Sequence, residues 1–306
     1  MVTRRNFIKS GLIFVPAYAH GQLATVPNRR AEFTLSGQAW AAAVVRLGGA
    51  LPSLATIKAI STFYDNLIAA GLRDKFYSLN CIVPDSLTAA LVPIIYTLSG
   101  SGTGYELWVN HNFVSGDLTV NGLKGDGISK YLDTGIIPPG TTPSTDFGMT
   151  IVSPDSASNG GVTESEFGSI NTANSNNNTV FYLNNGGNSY VESCGFGSGW
   201  NIQVTPQPGN GYYSANRLST TDFKLYFANQ ATPHAQVGSA TTATGNALNS
   251  ILYAFAVRNT ATGLAHSYSA KRMSFIAAHA GFTSAESAAF YSLIATLRTS
   301  LGGGNP

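Results

Sequence analysis

Apolar residues recur at helical spacing near each end of this chain, and between those ends they fall into short runs with no helical period. Leu54, Ile57, Phe63, Tyr64, Leu67 and Ile68 follow Pro52 and Ser53, which supply a start signal, and Gly71 supplies the stop. The helical character extends over residues 38–79 and predicts a second short helix carrying Leu72, Phe76 and Leu79. At the other end Phe290, Leu293, Ile294, Leu297 and Leu301 form one stripe. Thr283, with Glu286 three residues on, opens this last helix as a capping box, and Gly302, Gly303 and Gly304 close it. A stripe of that size has to be covered by another part of the molecule.

Between these helices lie runs rich in β-branched and aromatic residues, at 105–109, 147–152, 180–183, 189–194, 223–227, 251–257 and 273–278. Asn121-Gly122, Asn185-Gly186 and Asn210-Gly211 are dipeptides that supply the positive φ angles of tight hairpins. Many short strands with such punctuation predict a mainly β protein, an antiparallel β-sandwich with helices from both ends packed on it. The expected organisation is a signal segment (1–19), a linker (20–36), a helical preface (37–97), the sandwich (98–282) and a C-terminal helix and tail (283–306). Residues 37–306 are expected to form one structural unit, since no polar linker separates either end from the β region. The Asn-rich stretch 171–179 reads as an exposed loop.

The first residues change where the protein is expected to work. Thr3, Arg4, Arg5, Asn6, Phe7, Ile8 and Lys9 form a twin-arginine export pattern, followed by the apolar run 11–19 that ends in Ala17-Tyr18-Ala19. The run is about half the ~18 residues that span a bilayer, so it reads as a removable signal cleaved after Ala19. Arg4 and Arg5 would engage the twin-arginine export machinery and place the protein in the periplasm or medium. No later stretch is long enough to cross a membrane as a helix, so no membrane span is expected.

Composition narrows the partners. Charged residues are 10% of the 306, with 17 basic and 15 acidic residues and a net charge of +2. No Lys/Arg cluster follows Lys9, which argues against a nucleic-acid partner. The 33 glycines and many Ser, Thr and Asn residues give a surface that hydrogen-bonds but carries little charge. Cys81 and Cys194 are too few for a disulfide framework and read as two buried thiols, although an oxidising compartment would permit one bridge.

The segments 122–127 (Gly-Leu-Lys-Gly-Asp-Gly) and 130–135 (Lys-Tyr-Leu-Asp-Thr-Gly) resemble the concanavalin A-like, or laminin-G-like, jelly-roll proteins of bacterial secreted proteins and of phage and prophage structural proteins. Leu47-Gly48-Gly49, Ala70-Gly71-Leu72, residues 212–217 and Gly281-Phe282-Thr283 extend the likeness over most of the chain. The resemblance implies a jelly-roll sandwich with a surface-recognition, lectin-like or structural role, and it carries over no catalytic residue. It also raises a virion alternative, a fibre or decoration subunit of a phage particle.

Candidate chemistry is sparse. A glycoside hydrolase on such a scaffold needs two carboxylates roughly 5 to 9.5 Å apart across a cleft. Glu164 and Glu166 are the close pair in the β region, but the jelly-roll glucanases' acidic strand pattern is incomplete here, and the two read as solvent-facing strand charges. His20, His111, His234, His266 and His279 show no metal-ligand spacing, and no Gly-x-Ser-x-Gly elbow occurs. Asp126 and Asp133 are the residues that could offer oxygens to Ca²⁺, against which Gly125-Asp126-Gly127 reads as a tight turn closed by its own Asp. Sugar recognition would rest on Trp200, Asn201, Tyr212 and Tyr213, placed on loops at one rim of the sandwich, with aromatic faces for pyranose rings and an amide for hydroxyls. The expected function is therefore non-catalytic recognition of carbohydrate or of a cell or virion surface, with the virion subunit as first alternative and a glycoside hydrolase as second. Oligomeric state is not legible in the sequence.

Overall fold

The computed structural model describes residues 35–96, 106–138, 146–155, 163–171, 178–185, 188–195, 202–205, 208–241 and 250–304, by backbone alone at 35 and 184–195, so the thiol of Cys194 lies outside the description. The signal segment, residues 20–34 of the expected linker, the Asn-rich residues 172–177, Trp200 and Asn201 lie outside that set, while residues 35–36, expected in the linker, begin a helix.

The chain is mainly β. Among the described residues two sheets stack, and four helices cover the outer face of one of them: α1 (Leu35–Arg46), α2 (Leu54–Ala69), α3 (Leu87–Leu91) and α4 (Ser284–Ser300). The first sheet has seven strands in the order Ala235–Ala240, Asp222–Ala228, Gly211–Ser219, Phe147–Ser153, Phe275–His279, Phe76–Asn80, Ile95–Tyr96, all antiparallel. The second runs Ile202–Val204, Asn188–Gly195, Asn178–Asn185, Phe167–Ile170, Tyr253–Ala254, Tyr131–Asp133, Val109–His111. Beside this path, Val257–Asn259 pairs antiparallel with Ala265–His266 and parallel with Phe167–Ile170. A small third sheet joins Arg272–Met273, Gly122–Lys124 and Leu118–Thr119.

Strand alternation builds two cores from one sheet. Phe147, Met149, Ile151, Tyr213 and Ala215 point between the sheets and meet Phe167, Phe181, Leu183 and Leu132. The intervening positions Val152 and Tyr212 point the other way, under the helices, where Trp40, Ile57, Phe63, Phe290 and Ile294 cover them. The second core thus draws residues from both ends of the chain and from the sheet.

The local signals act as read. The Ser53 hydroxyl accepts from Thr56 N–H at the start of α2, and Thr283 with Glu286 forms the reciprocal capping box of α4. Gly71 and Gly302 take positive φ just past the helix ends.

Several element assignments change: the strand expected at 105–109 is Val109–His111, and Asn178 and Thr179, expected in an exposed loop, open the strand Asn178–Asn185, with Thr179 buried. Phe76–Asn80 is a strand, not a second short helix, because antiparallel partners stand on both sides of it and leave it almost wholly buried. The strand expected over 251–257 is split, since Phe255 at φ 65° turns the chain out of the sheet after Ala254.

A polar chain crosses the second core. The ring of His279 stacks on Phe282 with centroids 3.9 Å apart, its Nδ1 lies 2.7 Å from Ala280 O, and its Nε2 lies 2.8 Å from Thr150 Oγ1. Thr150 Oγ1 meets Ser214 Oγ at 2.9 Å. Burial lowers the His279 pKa to about 3, so the ring is neutral. Nδ1–H then donates to Ala280 O, and Nε2 accepts from Thr150.

Candidate functional site

Tyr212 and Tyr213, expected at the rim, are fully buried core residues on opposite faces of their strand. Tyr212 packs under α4, its hydroxyl 3.1 Å from Ser287 Oγ, and burial pushes it up to about 12. Tyr213 lies between the sheets, 4.9 Å from Phe227, and donates to Gly209 O. Gly211–Ser219 is a central strand of the first sheet, with α4 over one face and the second sheet over the other, so neither tyrosine reaches solvent.

Glu164 and Glu166 are also buried, 3% and 0% exposed, where solvent-facing charges were expected. The loop 267–271 supplies the groups that permit this. Lys271 Nζ donates to Glu164 Oε2 at 3.0 Å, and Ala270 N–H donates to Glu164 Oε1 at 3.1 Å. Glu166 Oε2 accepts from Leu183 N–H, and its Oε1 shares a 3.2 Å hydrogen bond with Ser269 Oγ. Burial pushes the Glu166 carboxyl up to about 8 although Lys271 and Leu183 N–H pull it down, so at neutral pH it carries its proton. Within this cluster the charge is then carried by the Lys271–Glu164 ion pair, and Glu166 adds none. Both carboxyl groups are turned into the protein interior rather than toward solvent.

The landmark glycines have a packing reason in the same place. Gly125 N–H donates to Lys271 O and Gly127 N–H to Ser269 O. A Cβ on Gly125 would stand 1.9 Å from Ser269 O. Between those glycines Asp126 closes the turn expected of it: its carboxylate accepts from the N–H groups of Ile128, Ser129 and Lys130 and from the Ser129 hydroxyl. Burial raises this carboxyl, but those four donors outweigh it and leave the pKa far below the usual range.

Tyr131, Asp133 and Tyr253 alternate with Leu132 and Ala254, which enter the inter-sheet core, so these three face outward on the second sheet. His111 stands opposite Tyr131 in register, and the two rings stack with centroids 4.0 Å apart and planes within 4°. Tyr253 lies 4.9 Å from Tyr131 on one side, and Tyr268, from the loop 267–271, lies 6.1 Å away. The Arg258 guanidinium sits 6.0 Å from the Tyr253 ring and donates to Ser250 Oγ at 2.9 Å. Asp133 Oδ1 accepts from Gly135 N–H; burial raises this carboxyl, against the pull of that N–H and of His111 and Arg258.

His111, Tyr131, Asp133, Arg258 and Tyr268 are all half-buried, and Tyr253 beside them is buried. The exposed Val109 stands opposite Asp133 in the same row. Here an aromatic shelf carries one carboxylate and one guanidinium, the materials of sugar recognition. The sequence reading missed it. The visible signal was Tyr131-Leu132-Asp133, an alternating strand inside a landmark already singled out, while His111, Tyr253, Arg258 and Tyr268 join it only through strand pairing and the loop.

Elsewhere, a groove of about 360 Å³ between α2 and α4 is lined by Phe63, Leu293 and Leu297, with Lys58 its titratable side chain. Among the described residues no group of three or more His, Cys, Asp or Glu is placed to hold a metal, and no helix is long and apolar enough to cross a membrane. Cys81 is a buried free thiol, and burial raises it well above the usual range.

No protein-family model matches the chain, and neither does any curated protein. Among solved structures it is similar to the enzymatically active domain of tailspike protein 2 of bacteriophage CBA120, at 14% identity and a TM-score of 0.38, covering 62% of this chain and 30% of that one. The full-length tailspike protein 2, from an Escherichia coli O157:H7 bacteriophage, gives 14% and 0.37, covering 65% and 28%. A mutant GH54 α-L-arabinofuranosidase soaked with 4-nitrophenyl α-L-arabinofuranoside gives 11% and 0.38, covering 77% and 65%. The chain spans less than two thirds of each of these chains.

Proposed function

We propose that this protein recognises carbohydrate without transforming it, and that the shelf built on His111, Tyr131, Tyr253 and Tyr268 is where a sugar ring docks. The observation that carries the reading is the half-buried His111–Tyr131 stack on the outer face of the second sheet, with Asp133 and Arg258 beside it. A pyranose presents C–H groups on one face and hydroxyls around its edge. Aromatic carbons accept the first, while a carboxylate and a guanidinium fix the second.

A low net charge leaves little for salt-steered association, so binding rests on stacking and short-range hydrogen bonds and changes little between low and moderate salt. The test is a glycan array with the purified chain, followed by titration of the ligand found against Tyr131→Ala and Asp133→Asn. Loss of a stacked aromatic is expected to weaken binding about ten- to a hundredfold, as for a binding hot spot, with the thermal melt kept. No binding to any glycan, or full binding by a folded Tyr131→Ala protein, would overturn the reading and favour a structural role such as a virion subunit. Turnover of the bound glycan, abolished by Glu166→Gln, would instead make the protein an enzyme.

A further inference from the structure

The buried cluster and the exposed shelf share one loop. Residues 267–271 carry Tyr268 to the shelf, while the neighbouring Ser269, Ala270 and Lys271 make the cluster's contacts with Glu166 and Glu164. Tyr268 has few anchors of its own: its hydroxyl donates to Ala265 O, and its ring meets Tyr131. The backbone beside it is strained, with Ser267 at φ 52°, a region that an L side chain rarely adopts. A conformation of that kind persists only where the surroundings hold it, and here part of the hold comes from side chains beneath the sheet.

We propose that Glu166 is a positioning residue of the shelf, holding Tyr268 against Tyr131 through the hydroxyl of Ser269. Ser269 Oγ is the hinge of the arrangement, since it meets Glu166 Oε1 at 3.2 Å and accepts from Lys271 N–H at 3.1 Å. Glu166 is in turn fixed by Leu183 N–H from the neighbouring strand. Among the described residues the charged groups that act on Glu166 are Lys271 and Glu164, both buried. Loss of the Glu166 proton places a second carboxylate charge beside the Lys271–Glu164 pair. Water entry relieves that charge, and to admit it the loop that bears Tyr268 has to shift against the backbone bonds that flank the ring, Ser165 N–H to Ser267 O and Ser269 N–H to Phe255 O, both 2.8 Å. The shelf is therefore assembled at neutral pH and loosens as pH rises past about 8.

That the loosening has consequences for ligand rests on the carbohydrate reading, so the experiment separates the two. The chain is made with 4-fluorophenylalanine, which does not titrate, in place of Tyr268, and its ¹⁹F resonance is followed from pH 6 to 9. One transition with a midpoint near 8 is expected, absent in Glu166→Gln, and glycan affinity measured on the unlabelled chain falls across the same interval. His266 contacts Ser267 at 2.8 Å, but burial lowers its pKa from the ordinary 6.5, away from the expected midpoint; burial raises the Tyr131 hydroxyl above its ordinary 10. Neither group imitates the transition. Ser269→Ala, which cuts the link with little change of volume, should flatten the ¹⁹F response and decides the matter if Glu166→Gln does not fold. A resonance that ignores pH in the parent chain, or a transition that survives both substitutions, overturns the positioning role. A clean transition with no glycan bound sinks only the carbohydrate reading.

Discussion

Replacing Glu166 by Gln should change how the protein's stability depends on pH, in a direction and window set by two buried groups. The folded-state pKa of Glu166, about 8, lies above the ordinary 4.5, so between those values the native chain holds a proton that the unfolded chain has lost. Unfolding then releases a proton, and stability falls as pH rises through the window. His279 works the other way: its folded value of about 3 lies below 6.5, so unfolding takes up a proton there and stability falls as pH drops. The two slopes oppose each other from 4.5 to 6.5. From 6.5 to 8 Glu166 acts without that opposition, over about 1.5 units at about 1.4 kcal/mol per unit, or about 2 kcal/mol. Gln keeps an acceptor for Leu183 N–H and a polar group for Ser269, but it does not titrate. Urea unfolding of both proteins at pH 6.5 and pH 8 is the assay. The parent should lose about 2 kcal/mol more than Glu166→Gln, or roughly 3 °C more in Tm for a chain of 306 residues. Equal losses in the two proteins would refute the assignment of a protonated buried carboxyl.

Three further outcomes are expected. Deleting residues 283–306 removes the buried Phe290, Ile294 and Leu297, together worth roughly 5 to 9 kcal/mol of burial against a typical ~5 to 15 kcal/mol stability, so the truncated chain should unfold or aggregate; a parallel melt would show α4 to be dispensable. Gly125→Ala drives a methyl into the Ser269 carbonyl and should cost about 1 to 3 kcal/mol, read as a lower urea midpoint, whereas the same change at Gly116, which has open space around it, should cost far less. Replacing Arg4 and Arg5 by Lys should trap an uncleaved precursor in the cytoplasm of a bacterium with twin-arginine export, because Lys lacks the guanidinium fork; an intact mass that retains residues 1–19 in the parent would sink the export reading.

Helix ends and strand tendency were legible in the sequence because the signals that make them are local. Ser53 reaches Thr56 and Thr283 reaches Glu286 within three residues, and the turn at Asp126 closes on its own next four positions, so pattern and contact coincide. The β-branched and aromatic run at 147–152 likewise announced a strand. What such a run leaves open is whether the second face meets water or another layer. Tyr212 and Tyr213 are buried because α4 covers one face of their sheet and the second sheet the other, a fact held by residues far away in sequence. Phe76 entered a strand for the same kind of reason, since its partners lie at Phe275–His279 and Ile95–Tyr96. The fate of Glu164 and Glu166 turned on Lys271 and Ser269, more than a hundred positions on: a carboxylate unmatched nearby reads as a surface charge until the loop that neutralises it is in place. The shelf follows the same rule. Its tyrosines, histidine, carboxylate and guanidinium come from five separate segments, and only cross-strand register and one strained loop bring them onto a common face.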